Sequence, residues 1–535
     1  MKRKFVVSAL FDAVIVGSGF AGSILGKILA KNGWRVAIID RAMHPRFAIG
    51  ESSTPTADFL LAYLADRWDM PELRPLAAWG TWKETYPEIT CGKKRGFSYF
   101  SHSPNRSFRN CPEHSTSLMV AASQTDHWSD THWLRSEVDM FLARQCVTSG
   151  CEMFENVGIE NVSRNDSVWS LRMVDRENGI DKRDLKTRWL IDAGGGGNFS
   201  ERWLGNQRDD AWMKTQTASV FGHFTGVKGF ADQVDHASQI DPAAGFCADD
   251  SAQHHVVKDG WMWMLRFDSG VTSVGIVQPT KFWKPIETAT EANLIWNHWV
   301  DEYPAIRELL LNAKAVGIGD GALRWSDRLS RCRRRAVGDG WVQLPTAYGF
   351  VDPLHSTGIA HALSGVLRIA ENLAADGAVD HGNSSRWVSY DEQLRREIEW
   401  IDLLVGGCYQ SLPSFPTFCA FAAWYFVAAI QFERVMARDP SHWSDGYLSC
   451  EIPQMRERAS QSYERLSSQS EASNVESIRR AIEPWNDVGL LTPIRGQRIP
   501  HTAPPKYSVA LQPTIGTNAT KTLGEFRCPK VSDGM

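Results

Sequence analysis

Several short stretches of this 535-residue chain carry residue types that could do chemistry. The first is Gly17-Ser18-Gly19-Phe20-Ala21-Gly22, with Asp40 further on. Glycines at this spacing let backbone N–H groups approach a pyrophosphate at a positive helix end, and an acid about 20 residues later can accept hydrogen bonds from ribose hydroxyls. The second is Ser356-Thr357-Gly358, directly before the helical pattern of residues 359–373. The first N–H groups of a helix lack intrahelical partners, so this position can receive an anion. Lys93-Lys94, just before Gly96, and Lys83 upstream are cations that could act on a substrate or simply sit in solvent. Trp261 and Trp263 stand two apart on an expected strand, so they share a face and could wall a passage.

These residues need elements to hold them. Asp12-Ala13-Val14-Ile15-Val16 reads as a buried strand, residues 23–32 as a helix, and Val36-Ala37-Ile38-Ile39 as a second strand ending at Asp40. Strand, glycine turn, helix, strand and acid in that order make a Rossmann-type dinucleotide-binding unit, and the fold class is α/β. We expect a nucleotide-binding domain from residues 8–205 with 320–375, and a substrate-side β-sheet region inserted from residues 80–130 with 206–319. A helical C-terminal region over 376–490 and a proline-rich tail over 491–535 follow. Residues 455–482 alternate charges at helical spacing and read as exposed amphipathic helix.

Composition narrows the partners. Lys plus Arg number 58 against 62 for Asp plus Glu, a net charge of −4, which provides no broad footprint for nucleic acid. The ten cysteines show no Cys-x-x-Cys pair or zinc spacing, so reduced thiols and no metal are expected. Met1-Lys2-Arg3-Lys4 imitates a signal peptide, but Asp12 interrupts the apolar run, so a first strand and a cytoplasmic protein are expected. The apolar run of residues 415–432 is shorter than the roughly 20 residues of a membrane span and is expected to form a buried helix.

Three elements resemble flavoprotein hydroxylases and so imply FAD rather than NAD. They are Arg135 opening a helix, the strand Trp189-Leu190-Ile191-Asp192 running into Ala193-Gly194, and Gly338-Asp339. Phe350-Val351-Asp352-Pro353-Leu354-His355-Ser356-Thr357-Gly358 resembles the Phe-x-x-Pro-x-x-Ser-x-Gly stretch of flavin-dependent halogenases. Gly260-Trp261-Met262-Trp263 is similar to their Gly-Trp-x-Trp-x-Ile-Pro, with Arg266 in place of the proline. Gly50-Glu51-Ser52-Ser53-Thr54-Pro55 resembles the Gly-Glu-Ser-x-x-Pro segment of the phenol- and pyrrole-acting members, and Lys94 precedes a glycine and an aromatic strand as their catalytic lysine does. The matched islands span residues 12 to about 373.

The resemblance implies FAD, used as FADH2, bound by Gly17, Gly19, Phe20, Ala21, Gly22, Asp40, Glu51, Ser52, Arg135, Asp339, Pro353, Gly358 and Ile359. It implies chloride or bromide held at Thr357 and Gly358, a tunnel walled by Trp261 and Trp263, and O2 as oxidant through a flavin hydroperoxide that yields hypohalous acid. Lys94 would be the relay lysine, with Lys93 and Lys83 as alternatives. Tryptophan halogenases carry a glutamate where His355 stands. Histidine, with an ordinary pKa of about 6.5, could instead act as general base toward a phenol. A flavin reductase would supply FADH2, and the substrate would be a small electron-rich aromatic, free or carrier-tethered. Two rival readings share these motifs: an aromatic hydroxylase, which needs no relay lysine, and a flavoprotein-like module without catalysis.

Overall fold

The computed structural model describes residues 10–111, 115–180, 182–234, 243–317, 323–377, 384–492, 497–499 and 502. Its first sheet is built around Leu10–Val16, which pairs in parallel with Val36–Ile39 on one side and Lys182–Asp192 on the other. Glu152–Phe154 joins beyond Val36–Ile39 and Trp341–Gln343 beyond Lys182–Asp192, also in parallel, with Val337–Gly338 antiparallel outside the latter. A parallel sheet covered on both faces requires continuous apolar strands, and Ala13-Val14-Ile15 and Val36-Ala37-Ile38-Ile39 are all buried. Helices Phe20–Lys31, Arg135–Thr148 and Gly358–Asp376 pack together over it. The fold is mixed α/β with a Rossmann-like sheet and a helical C-terminal region.

The second sheet runs in the order Lys314–Val316, Thr217–Thr225, Thr272–Pro279, Gly260–Arg266, Ser251–Val257, Gly96–Ser101, Ser117–Ala121 and Arg498–Ile499. Its residues alternate between two cores, as the period of a strand demands. Phe97, Tyr99, Trp261 and Trp263 face the large central core, while Phe100, Met262 and Met264 face a separate one beneath Ala289–Glu302. The two tryptophans thus share a side, as expected. Arg498–Ile499, from the stretch read as a tail, pairs in parallel with Met119 and Val120, which a proline-rich composition did not suggest. Apart from Thr502, the chain beyond residue 499 lies outside the described residues.

Five long helices follow the nucleotide-binding strands: Gly358–Asp376, Ser385–Gln410, Phe415–Arg438, Pro453–Arg465 and Glu471–Ile482. Phe415–Arg438 is longer than its apolar run because helix continues through a polar last turn, and Ser414 caps its start by accepting from the Thr417 N–H. By length and composition alone it could cross a membrane, yet most of it is buried, packed on Ser385–Gln410, Glu471–Ile482 and Pro55–Arg67. Residues 455–482 form two helices rather than one exposed stretch, and Met455, Ala459, Ile478 and Ile482 are buried.

One charged cluster ties this region together. Fully buried Glu397 accepts from Arg368 at 2.6 and 2.9 Å and from the Tyr447 N–H at 2.9 Å, with His361 Nε2 at 3.0 Å. The Tyr447 hydroxyl in turn donates to the Thr357 carbonyl at 3.1 Å, so the cluster anchors the start of Gly358–Asp376.

Candidate active site

The glycine turn is built as its spacing requires. Gly17 has φ +113°, and a Cβ there would lie 2.6 Å from the Ala193 carbonyl oxygen. On Gly22 a Cβ would lie 2.2 Å from the Gly17 oxygen, so only glycine lets helix and strand close. The helix Phe20–Lys31 starts at Gly19 with no capping side chain, so its first N–H groups face the crevice. A Cβ on Gly19 would lie 3.6 Å from the guanidinium of Arg46 and 3.6 Å from that of Arg135.

Arg135 is fixed from behind, donating to both oxygens of Asp139 and to the carbonyls of Ile49 and Gly50. Asp40 accepts from the Ser18 N–H and hydroxyl and from the Ala42 N–H. Burial pushes its carboxyl up, but Arg46 at 3.3 Å and these hydrogen bonds outweigh it and hold Asp40 below the ordinary range. A carboxylate has about four lone-pair sites, so Asp40 keeps capacity for a ribose hydroxyl. An uncapped helix start, two guanidinium groups and a side-chain-free turn fit the diphosphate of FAD.

Residues 49–54 bridge this crevice to a second, interior site. Arg135 holds their start, and Lys94 donates to the Ser53 carbonyl from the other side. Lys94 is completely buried at the end of Cys91–Lys94, opposite Asp130 in the ladder with Asp130–Trp133. Its ammonium nitrogen lies 3.9 Å from the centre of the Phe97 ring. The other lysines are placed differently: Lys93 pairs with Asp126 and Asp250, and Lys83 with Asp268, all at the surface side. Glu51 is buried and accepts from His223 Nε2 at 2.7 Å. His223 also lines a cavity of about 690 Å³ walled by Phe47, Leu134, Met140 and Phe141 on the crevice side.

Around Lys94 lies an aromatic nest that no local pattern announced. Tyr99 stacks on His254 at 4.4 Å, His254 lies 5.1 Å from Trp261, and the Tyr99 hydroxyl is 3.3 Å from His355 Nδ1. His355 stacks flat on Tyr425 at 4.3 Å, with Cys408 Sγ 3.7 Å from its Nε2. Burial pushes His355 down to about 3, with His254 adding to the effect, so it is an uncharged, packed ring at neutral pH. Of the two roles open to this histidine, general base or packed hydrogen-bonded ring, its surroundings favour the second. His132 and His254 are likewise pushed down to about 3, first by burial and also by the Lys94 charge.

Trp261 donates its indole N–H to the Tyr409 hydroxyl at 2.8 Å, which donates to Asp352 at 2.9 Å. Asp352 also accepts from Thr217 and the Leu354 N–H, and burial still pushes it up to about 7. Trp263 donates to Ser273. Arg266, which departs from the resembled pattern, is paired with Asp249 and does not enter the nest. Ser356 takes φ +53° and Thr357 precedes Gly358–Asp376 with no capping side chain, so the helix start is open beside Phe350.

Asp339 is not brought to the crevice. Trp341–Gln343 runs parallel to Lys182–Asp192, with Gln343 level with Asp192 and Val16 at the carboxyl edge where Gly17 begins. Asp339 sits in the hairpin before this strand, at the opposite edge, exposed and paired with Arg164. Gly338 is a glycine because the Trp341 ring lies across it. The carboxyl edge holds Gln343 instead, donating to Asp192 at 2.9 Å.

The chain is 28% identical over 437 residues to tetracycline 7-halogenase of Kitasatospora aureofaciens, covering 80% of this chain and 75% of that one. It is 26% identical over 436 residues to monodechloroaminopyrrolnitrin halogenase PrnC of Pseudomonas fluorescens, covering 80% and 73%. The crystal structure of halogenase PltM in complex with phloroglucinol and FAD superposes with a TM-score of 0.78 at 25% identity, covering 91% of this chain and 99% of that one. Residues 127–412, just over half of the sequence, match the tryptophan halogenase family, and the chain belongs to that family of FAD-dependent enzymes.

Proposed function

We propose that this enzyme halogenates a small electron-rich aromatic, a phenol or pyrrole, free or tethered to a carrier, with FADH2 supplied by a separate reductase. The burial of Lys94 beneath residues 49–54, inside an aromatic nest, carries this reading. When bound, reduced FAD would activate O2, one oxygen of which would oxidise chloride or bromide to hypohalous acid while the other leaves as water. Thr357 and Gly358, at the open helix start, hold the halide. Residues 49–54 separate the crevice from the nest and exclude water. Lys94 receives the oxidant and presents its electrophilic halogen to the ring through a hydrogen bond from its ammonium or as a haloamine. His355, uncharged and fixed by Tyr99 and Tyr425, shapes the nest rather than moving a proton.

The test is product mass spectrometry of a phenol, pyrrole and indole panel with FAD, a generic flavin reductase and NADH, in chloride, bromide or neither. A halogen isotope pattern that vanishes without halide is expected. A halide-independent gain of one oxygen would make the enzyme a hydroxylase instead.

Tyr409 offers a second test, because it joins Trp261 to Asp352. Tyr409→Phe strands the buried Trp261 indole N–H at a cost of about 1–3 kcal/mol, loosening Trp261. FAD affinity is expected to hold, while hypohalite escaping to solution rises several-fold at the expense of halogenated product. An unchanged partition would remove the tunnel role from Trp261.

A further inference from the structure

Arg331 stands where the two walls of the flavin crevice meet. It lies in Arg331–Cys332, paired with Gly349–Phe350, and donates to the Leu329 carbonyl at 3.0 Å and the Thr346 carbonyl at 2.9 Å. Its guanidinium carbon is 5.3 Å from the centre of the Phe350 ring, and a Cβ on Gly196 would lie 3.7 Å from that carbon. On Gly358 a Cβ would lie 3.4 Å from the edge of the same Phe350 ring. One cation therefore touches the glycine turn after Asp192 and, through Phe350, the start of Gly358–Asp376.

Two arginines beside it are neutralised and it is not. Arg333 pairs with Glu201 at 2.5 Å and Arg328 with Asp210 at 3.1 Å, whereas Arg331 makes no ion pair among the described residues. A guanidinium has five N–H groups, and the Arg331 Nε is buried without an acceptor. Burial, then Arg333 and Arg208, push Arg331 down to about 10, only partly offset by Asp192. Asp192 spends its oxygens on the Gly194 N–H and Gln343. Arg331 is half-buried, and a partly desolvated cation without a counter-ion favours an anionic partner. Gly196 lies directly against its guanidinium with no side chain between them.

We propose that Arg331 is an anion-binding residue of the crevice, holding against the 193–197 turn a negative charge that a ligand brings. Two sources carry that chemistry, the flavin nucleotide and free halide. The inference needs only that FAD binds, so it stands or falls apart from halogenation itself.

The experiment compares the full-length wild type with Arg331→Gln and Arg331→Lys. Affinity for oxidised and dithionite-reduced FAD is read by fluorescence, and chloride binding by 35Cl NMR line width. If flavin is the source, Arg331→Gln weakens FAD by roughly tenfold or more while Arg331→Lys stays within about threefold. Lysine keeps the charge but cannot bridge Leu329 and Thr346, so this rescue separates charge from scaffolding. If halide is the source, the line broadening is lost in Arg331→Gln with FAD affinity intact. No change in either ligand, or equal losses in both variants, overturns the proposal. Should Arg331→Gln not fold, phenylglyoxal labelling of the wild type replaces it. Protection of the Arg331 peptide by FAD or chloride is then expected, and equal labelling with and without them overturns the proposal.

Discussion

Lys94→Ala is expected to cut halogenated product by roughly 10²–10⁴-fold, the range for loss of a positioned acid–base group, while FAD still binds and hypohalous acid still forms. Lys94 touches residues 49–54 from the nest side, and Arg135 touches them from the crevice side, where with the glycine turn it would hold FAD. Removing the amine therefore leaves the oxidant-making half intact and disconnects the half that uses it. Product mass spectrometry, run beside a hypohalite trap in solution, reads both halves at once. Lys93→Ala and Lys83→Ala, whose ammonium groups are spent on Asp126, Asp250 and Asp268 toward solvent, are expected to leave product yield near the wild type. Undiminished product in Lys94→Ala would take the relay role from this residue.

The second large effect is on stability. Glu397→Gln leaves Arg368 buried without its counter-ion, and breaking a buried pair costs about 3–5 kcal/mol. Burial pushes Glu397 up, but Arg368 and the His361 and Arg368 hydrogen bonds prevail and hold it at about 2. A carboxyl whose folded value is depressed contributes stability that is present above its unfolded value of about 4.3 and is lost as pH falls through the folded one. The unfolding midpoint of Glu397→Gln should thus lie well below the wild type at pH 7, and the gap should narrow between pH 5 and pH 2. A gap that is constant with pH would mean that packing rather than charge sets the difference. Because Tyr447 links this cluster to the Thr357 carbonyl, the variant should also need a higher halide concentration for half-maximal product, under conditions where it is still folded.

What could be read from the sequence was local. Gly17, Gly19 and Gly22 constrain backbone within six positions, and the strands on either side declare themselves by unbroken apolar runs. The shared face of Trp261 and Trp263 follows from strand period alone. Asp339 shows where such reading fails. A Gly-Asp pair beside a strand looks the same before or after it, and only the pairing of Trp341–Gln343 with Lys182–Asp192 reveals which edge of the sheet it occupies. Lys94 could be separated from Lys93 only by strand direction, since adjacent residues point to opposite faces. Tyr409, Cys408 and Tyr425 arrive from helices whose apolar residues all look alike, so nothing in their spacing marks the few that reach the site. Arg331 was hidden in an arginine-rich run, where its unpaired state appears only once Glu201 and Asp210 are seen to serve its neighbours.

The contribution of Tyr425 has a consequence for how the protein is made. The ring that backs His355 belongs to a helix synthesised some seventy residues later, long after the glycine turn and Lys94 have left the ribosome. A nascent chain can assemble a nucleotide-binding sheet while its interior chamber still lacks a wall, and the long apolar helix Phe415–Arg438 emerges last of the pieces that close it. Closure of the chamber therefore waits on a segment that follows its other walls in the chain.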